Sequence, residues 1–492
     1  MSSKNKNRMK NNNSRTKIVC TLGPKTESEE ILVEMDRVGM DVTRLNFSHN
    51  SHAWHQKIFE KIRSISEYMT IFFDLQGPKI RLGELKKPFF LVRGDTFTLT
   101  TEDIIGDNKR ASISLKTLPQ SVKKSQLIYI NDGIVALKVL EVEETEIHCR
   151  IVSSGEIRSK KGINIPSVDL NLPCLTEKDL EDLEFAISLE PDYIALSFVQ
   201  SEKDLKYLRD IIKTHTNNEL PIISKIEHAF AIKNFDKILK ETDAVMVARG
   251  DLGIETSVTQ LPIFQKEIIR KCNVLGLPVI TATQMLESMV VNPRPTRAEA
   301  SDVANAIYDG TDAVMLSAET AIGNYPIEAV KMMNEIALNV ERELQWKDYS
   351  DVKCSPKYAI AENIAKAAGM LVEGMPVSAI IAITQGGFSA KLIAKHRPRT
   401  EIIAATPNPK VIRQLGLIWG VFPMFVKEFL NTDQTVVEAV AEAKKLQYLS
   451  DEEIVVVVSG SVLSPGKTNL LRAYNVSDIP APEQFETIYQ EF

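Results

Sequence analysis

Cysteine is scarce in this chain of 492 residues: Cys20, Cys149, Cys174, Cys272 and Cys354 stand singly, with no CxxC pair and no metal-ligand spacing. An odd, scattered set excludes a disulfide framework and a zinc-binding motif, and reads as reduced, mostly buried thiols. Long apolar runs are missing too, so no segment is a candidate membrane span. The opening residues are rich in Asn, Ser, Lys and Arg and lack the apolar stretch of a secretory signal. A large charge excess is also absent: the net charge is −6, which argues against a nucleic-acid binder with a broad basic face. What is left, 44% apolar and 25% charged residues, is ordinary globular composition. The expected location is the cytoplasm, with neither membrane nor nucleic acid as partner, and residues 1–16 are expected to form a disordered basic tail. The length calls for more than one domain.

From Lys17 onward, short β-rich runs alternate with stretches of helical period, the signature of a parallel sheet covered by helices. The runs are 17–21, 42–45, 70–74, 193–198, 221–224, 244–247, 278–281 and 313–316, and eight is the number that closes a (β/α)8 TIM barrel. Polar residues collect where the runs end. Arg44, Asn46, Ser48 and His49 close the second and Asp74 the third; Lys225 and Glu227 follow the fifth, Arg249 and Asp251 the sixth, Thr283 and Gln284 the seventh, Ser317 and Glu319 the eighth. Barrel enzymes build their sites on that face, because all the loops after the strands converge there. Scattered surface polars would not choose one end of every strand.

Residues 78–173 have a different texture. Short strand-like runs with turn signals at Arg93-Gly-Asp95 and Asn131-Asp-Gly133 predict a small all-β domain inserted after the third strand, placed as a lid beside the site. The barrel is therefore assigned to 17–77 and 174–346, its last stretch from Tyr325 to Trp346 reading as one long helix. After a boundary at Cys354-Ser-Pro356, residues 355–492 alternate four strands with helices and predict a C-terminal α/β domain.

Glu227 and Asp251, on adjacent strand ends, are hard oxygen ligands suited to Mg2+ or Mn2+, and the lack of nearby His or Cys disfavours zinc. Lys225 lies two residues before Glu227, so on an extended strand end both side chains point the same way and cation and metal flank a common ligand. Gly250-Asp-Leu-Gly253 can open a short helix whose free N–H groups receive an anionic oxygen. Together these describe a site for a phosphorylated carboxylic acid.

The motifs Ile223-Ser-Lys-Ile-Glu227, Met246-Val-Ala-Arg-Gly-Asp-Leu-Gly253, Thr281-Ala-Thr-Gln-Met-Leu-Glu287, Asn292-Pro-Arg-Pro-Thr-Arg-Ala-Glu299 and Val314-Met-Leu-Ser-Ala-Glu-Thr320 resemble those of the pyruvate kinase family, as do Arg44-Leu-Asn-Phe-Ser-His49 and Ser159-Lys-Lys-Gly-Ile-Asn164. The resemblance implies Mg2+-dependent phosphoryl transfer from phosphoenolpyruvate to ADP, giving pyruvate and ATP, in a homotetramer. It implies that Lys225 stabilises the transferring group, Arg44 clamps the phosphate, and Gly250, Asp251 and Thr283 hold the substrate carboxylate, Thr283 also organising proton delivery. Asn46, Phe47, Ser48, His49, Arg81 and Lys161 match nucleotide positions. Asn46, Ser48 and Asp74 match the potassium ligands of the commoner pattern, but the third strand here continues Asp74-Leu-Gln-Gly-Pro-Lys-Ile-Arg81. Lys79 stands where that pattern has an acid, and a fixed ammonium there predicts activity without potassium. Ala318 replaces the family's usual Gly. Thr296-Arg-Ala-Glu299 reads as a capping box, with Arg294 and Arg297 left for subunit contacts.

In the last domain, Thr384-Gln385-Gly386-Gly387-Phe388-Ser389 follows a strand and precedes a helix, a nest for a phosphate that resembles the family's effector loop. Gly460 to Thr468 imitates a P-loop but has five residues between its glycines instead of four, so Lys467 and Thr468 are assigned to the effector pocket instead. A sugar monophosphate or AMP is the expected activator. Two rival readings are a metal-dependent aldolase or lyase working through a pyruvate enolate, which needs no nucleotide residues, and an inactive binding scaffold, which predicts loss of the site residues. The intact Lys225, Glu227, Asp251 and Thr283 speak against the scaffold.

Overall fold

The structure, a computed structural model, describes residues 14–485 apart from 167, 169, 171, 345–357, 428–430 and 461–467. Strands Lys17–Thr21, Val42–Asn46, Thr70–Asp74, Tyr193–Leu196, Ile222–Ile226, Ala244–Ala248, Val279–Ala282 and Ala313–Leu316 close into a parallel barrel. They are the eight runs expected from the sequence, with ends moved by two residues at most. These strands read as unbroken apolar runs because both faces are covered. Val19, Val42, Phe72, Ile223, Met246 and Ile280 pack inside the barrel, and residues of the opposite parity, such as Ile18, Ile71, Phe73 and Val245, meet the surrounding helices. Several of those helices begin at caps visible in the sequence. Ser28 and Ser51 accept backbone N–H groups, and Thr176, Ser201 and Thr296 form capping boxes, each such cap contributing about 1 kcal/mol.

After the third barrel strand the chain leaves to build the inserted domain, whose main sheet has seven strands and its own core around Phe97, Leu99, Ile128, Leu137 and Ile147. It departs through Ile80–Arg81 and returns through Gly162–Asn164, and these two strands pair, Gly162 opposite Arg81. Both connections therefore run side by side. The long helix expected from Tyr325 runs Pro326–Glu343; the boundary at Cys354-Ser-Pro356 lies outside the described residues.

The C-terminal domain is a five-stranded sheet ordered Val421–Phe425, Glu401–Thr406, Val377–Ile383, Ile454–Gly460, Thr468–Asn475. Helices cover both faces. Its fifth strand, the antiparallel edge Thr468–Asn475, is not among the four expected, because it is half-buried along most of its length and lacks a clean apolar alternation. This domain stops the N-terminal mouth of the barrel. Leu417 completes the interior cluster, the Tyr193 hydroxyl donates to the Gln414 carbonyl at 2.8 Å, and the Lys17 ammonium donates to the Val421 carbonyl at 2.9 Å. Asp192, fully buried, receives Arg63 at 2.8 Å and Arg413 at 2.7 Å. The opposite mouth is left for ligand.

The expectation of disorder through residue 16 is corrected. Ser14 and Thr16 are buried. The Thr16 backbone N–H and hydroxyl both donate to Glu341, at 2.6 and 2.7 Å, and Ser14 N–H donates to Asn334 at 3.1 Å. A buried carboxylate needs such donors, and these residues supply them. Residues 1–13 lie outside the described residues. No described helix is long and apolar enough to cross a membrane.

Candidate active site

The end of the fifth barrel strand delivers Lys225 into a ring of carboxylates. Its Nζ lies 3.0 Å from Glu227 Oε1 and 3.1 Å from Asp74 Oδ1, and donates to the Ser197 hydroxyl at 2.6 Å. The two-residue spacing puts Lys225 and Glu227 on one side, as expected. Asp74 uses its second oxygen to accept from Arg44 Nε at 2.7 Å, and Arg44 Nη1 reaches the Thr21 hydroxyl at 3.0 Å. Four predicted site residues on three strands thus form one continuous chain of charge: Arg44, Asp74, Lys225, Glu227.

Burial works against the Lys225 charge, but Asp74 and Glu227 outweigh it and hold its pKa above the ordinary value. Burial likewise opposes ionised Asp74, yet Lys225 and Arg44 hold its carboxyl below the usual range. Glu227 goes the other way: burial, with help from Asp251 and Asp74, raises its carboxyl despite Lys225. Glu227 Oε2 also accepts from the Phe198 N–H at 2.8 Å. The Asp251 carboxylate beside the buried Glu227 is one cause of that rise, and two neighbouring carboxylates of this kind form a donor set that a hard divalent cation relieves, so Glu227 and Asp251 fit the expected metal.

Asp251 and Gly250 lie in the first turn of the helix Arg249–Glu255. The Gly250 N–H, read from the sequence as a free anion donor, is committed to the Thr283 hydroxyl at 2.8 Å, which ties the sixth and seventh strand ends together. Thr283 and Gln284 both have left-handed backbones, φ 70° and 54°. Strain of that kind costs about 1–3 kcal/mol per residue and persists only where neighbours enforce it. The enforcer is Arg249, buried, whose guanidinium donates to the Thr283 carbonyl at 2.7 Å while pairing with Asp302 at 2.7 Å. Glu319 is structural as well: buried, it accepts the backbone N–H groups of Leu286 and Ser317 at 3.0 and 2.6 Å.

The nucleotide candidates divide. Arg81 and Lys161 lie next to each other on the two connections of the inserted domain, the Lys161 carbonyl accepting from Leu82 N–H at 2.9 Å. His49 titrates below its ordinary value through partial burial and the nearby Arg44 and Arg81 cations, so these three residues share one positive region. Asn46 and Ser48 make a tight turn, the Asn46 side-chain carbonyl accepting Ser48 N–H at 3.0 Å. The Phe47 side chain is buried, stacked on Phe73 at 4.9 Å, because it alternates to the face opposite Asn46 and Ser48.

Lys79 does not join Asp74, both of whose oxygens are already paired. Its ammonium pairs with Asp251 Oδ1 at 3.0 Å, across 172 residues of sequence. Three partners in this site carried too weak a signal to be named from the sequence. Ser197, Phe198 and Thr21 offer a neutral hydroxyl or a backbone N–H at a strand end; the clue was position alone. Arg249 stood in the ring of strand-end polars, but nothing in the sequence marked it as the clamp of Thr283.

In the C-terminal domain the strand-turn-helix expectation for Thr384 to Ser389 holds. Gly387 adopts φ 81° at the start of the helix Phe388–Lys395, and nothing stands within 4 Å of a side chain added at Gly386. Thr384 N–H donates to the Ala405 carbonyl at 3.0 Å, the Gln385 carbonyl lies 3.5 Å from the Thr406 hydroxyl, and Phe388 packs on Tyr358. The Ser389 and Thr468 hydroxyls meet at 2.6 Å, bringing together the two segments assigned to one pocket; Lys467 lies outside the described residues. Cys20, Cys149, Cys174 and Cys272 are free thiols, all but Cys174 buried.

Comparison with known proteins shows two family matches: the pyruvate kinase barrel domain over residues 13–330 and the pyruvate kinase alpha/beta domain over residues 362–474. Among curated relatives, pyruvate kinase of Clostridium perfringens is 43% identical over 469 residues, 93% of this chain and 99% of that one. Pyruvate kinase of Sporosarcina psychrophila is 41% identical over 479 residues, covering 96% and 82%. That of Staphylococcus aureus is 40% identical over 476 residues, covering 94% and 81%.

Proposed function

This chain belongs to the pyruvate kinase family and is a kinase moving the phosphoryl group of phosphoenolpyruvate to ADP, and from its site we propose how its residues divide that work. The carrying observation is the buried Lys225 ammonium, held between Asp74 and Glu227 and one carboxylate away from Arg44. Phosphoryl transfer leaves little covalent chemistry for the protein, so catalysis is positioning plus charge stabilisation. Lys225 and Arg44 supply fixed positive charge to the transferring group. Asp74, ionised between them, fixes both cations in place so that no reorganisation is needed during reaction. Asp251 and Thr283 meet the substrate carboxylate, Gly250 setting the Thr283 hydroxyl through its N–H, and that hydroxyl, on a strained backbone clamped by Arg249, orders the water that delivers the enolate proton.

The family is generally Mg2+-dependent. A divalent cation on Glu227 and Asp251 supplies, when bound, positive charge to phosphate and enolate oxygens. Asn46, Ser48 and His49 meet the nucleotide from the barrel, with Phe47 contributing backbone only, and Arg81 and Lys161 meet it from the inserted domain. The working form is a cytoplasmic homotetramer, activated by a phosphorylated metabolite at Thr384 to Ser389 and Thr468.

Potassium is not required in this reading. Asp74 is already neutralised by Arg44 and Lys225, and Lys79 brings a permanent ammonium to the rim of the cleft. The test is pyruvate formation from phosphoenolpyruvate and ADP with Mg2+, titrating potassium from zero in tetramethylammonium buffer at constant ionic strength. Full activity at zero potassium is expected. Activity that appears only with potassium leaves the kinase and removes this role for Lys79.

A further inference from the structure

Both connections of the inserted domain are fastened to one short helix. On the way out, Lys79 pairs with Asp251 at 3.0 Å; on the way back, Asn164 donates its side-chain amide to Glu255 Oε1 at 3.0 Å. Asp251 and Glu255 are four residues apart on the helix Arg249–Glu255 and therefore share a face. The second oxygen of Glu255 is buried, makes no hydrogen bond, and lies 3.3 Å from His228 Nε2. His228 Nδ1 accepts from the Phe230 N–H at 3.2 Å, so the ring proton sits on Nε2, toward Glu255. His228 directly follows Glu227. Glu255 thus touches the return strand of the lid and the segment behind one candidate metal ligand, while sharing a helix with the other. The cleft between lid and barrel is lined by Lys79, Asn164, His228 and Glu255.

The two ties differ in kind. Lys79 and Asp251 have side chains 21% and 24% exposed, and a divalent cation held by Asp251 would compete with the ammonium for that carboxylate. Asn164 and Glu255 are each 5% exposed, and no candidate ligand competes for their bond. A wet tie that exchanges lies beside a dry one that stays, which is the arrangement of a release beside a pivot.

We propose that Glu255 is a positioning residue: through Asn164 it fixes the pivot on which the lid carries Arg81 and Lys161 over the site. The proposal rests on the assignment of those two residues to the nucleotide. Loosening the pivot displaces the groups borne by the lid and leaves Lys225, Arg44 and Thr283 on the barrel where they are, so ADP suffers and phosphoenolpyruvate does not.

The test is steady-state kinetics of the full chain carrying Glu255→Ala, Asn164→Ala, both together, Glu255→Gln or Arg81→Ala, with Mn2+ binding measured by electron paramagnetic resonance in the absence of nucleotide. Glu255→Ala and Asn164→Ala are expected to raise KM for ADP about tenfold, with KM for phosphoenolpyruvate and Mn2+ affinity within about threefold of wild type. The double variant should be no worse than either single one, because both remove the same contact. Glu255→Gln, which keeps an acceptor for Asn164, should recover most of the loss. An equal rise in both KM values, loss of Mn2+ binding, or additive single effects overturns the proposal. If Arg81→Ala leaves KM for ADP unchanged, the nucleotide assignment has failed; if it raises KM while Asn164→Ala does not, the pivot has failed. Should Glu255→Ala not fold, Asn164→Ala and Glu255→Gln carry the same decision.

Discussion

Replacing Lys225 by Met removes one ammonium from the site with almost no change in side-chain length. The structure sets the size of the loss. The ammonium is buried, within 3.1 Å of two carboxylates, and is aimed by the Ser197 hydroxyl at 2.6 Å. A unit charge acting on developing charge about 4 Å away at an effective dielectric of about 20 is worth about 4 kcal/mol. At about 1.36 kcal/mol per tenfold, that is about a thousandfold in turnover. The fold should tolerate the change, because Asp74 keeps Arg44 and Glu227 keeps the Phe198 N–H. The assay is pyruvate release coupled to NADH oxidation, with a thermal melt and Mn2+ binding as controls. The expected pattern is kcat down about a thousandfold, KM for ADP little changed and Mn2+ still bound. A folded, Mn2+-binding variant within tenfold of wild type would falsify the charge-stabilisation argument.

Asp192→Asn leaves Arg63 and Arg413 without the buried carboxylate that joins barrel to C-terminal domain; breaking such a pair costs about 3–5 kcal/mol, so a thermal melt should fall by roughly 5–10 °C, and an unmoved midpoint refutes the hub. His55, buried against Phe47 and Phe73, has its pKa pushed down by burial to about 4. Its native form therefore binds fewer protons than the unfolded form, so its stabilisation is present above about pH 6.5 and lost as pH falls toward 4, at up to about 1.4 kcal/mol per unit. Denaturant titrations across that window should show a flatter acid limb for His55→Leu, and an unchanged slope counts against the assignment. Substituting Thr384 and Ser389 by Ala should abolish the response to added sugar monophosphate or AMP in initial-rate assays; a response that survives puts the effector pocket elsewhere.

What could be read from the sequence and what could not divide along a physical line. The eight barrel strands were legible because a sheet covered on both faces imposes unbroken apolar runs, and the site was legible because polar residues gather where those runs end. Lys225 and Glu227 could be placed on one side because the period of a strand is two, and the same rule sends Phe47 into the core although it lies inside a functional motif. Each of these inferences concerns one element and its own geometry. The failures concern partners on different elements. Ser197, which holds Lys225, is a neutral hydroxyl with no pattern to mark it, and the Arg249 clamp on Thr283 depends on where two loops meet. Lys79 was visible as an unusual cation, but the obvious anion, Asp74, was already neutralised by nearer residues, so its ammonium turned to Asp251. Local periodicity cannot express that competition. It follows that the coupling between lid and barrel, so far as it rests on such long-range pairs, is the part of this enzyme least constrained by its motifs. Relatives that share every motif can therefore differ in lid motion, in their need for a monovalent ion and in affinity for ADP through substitutions at Lys79, His228 and Glu255.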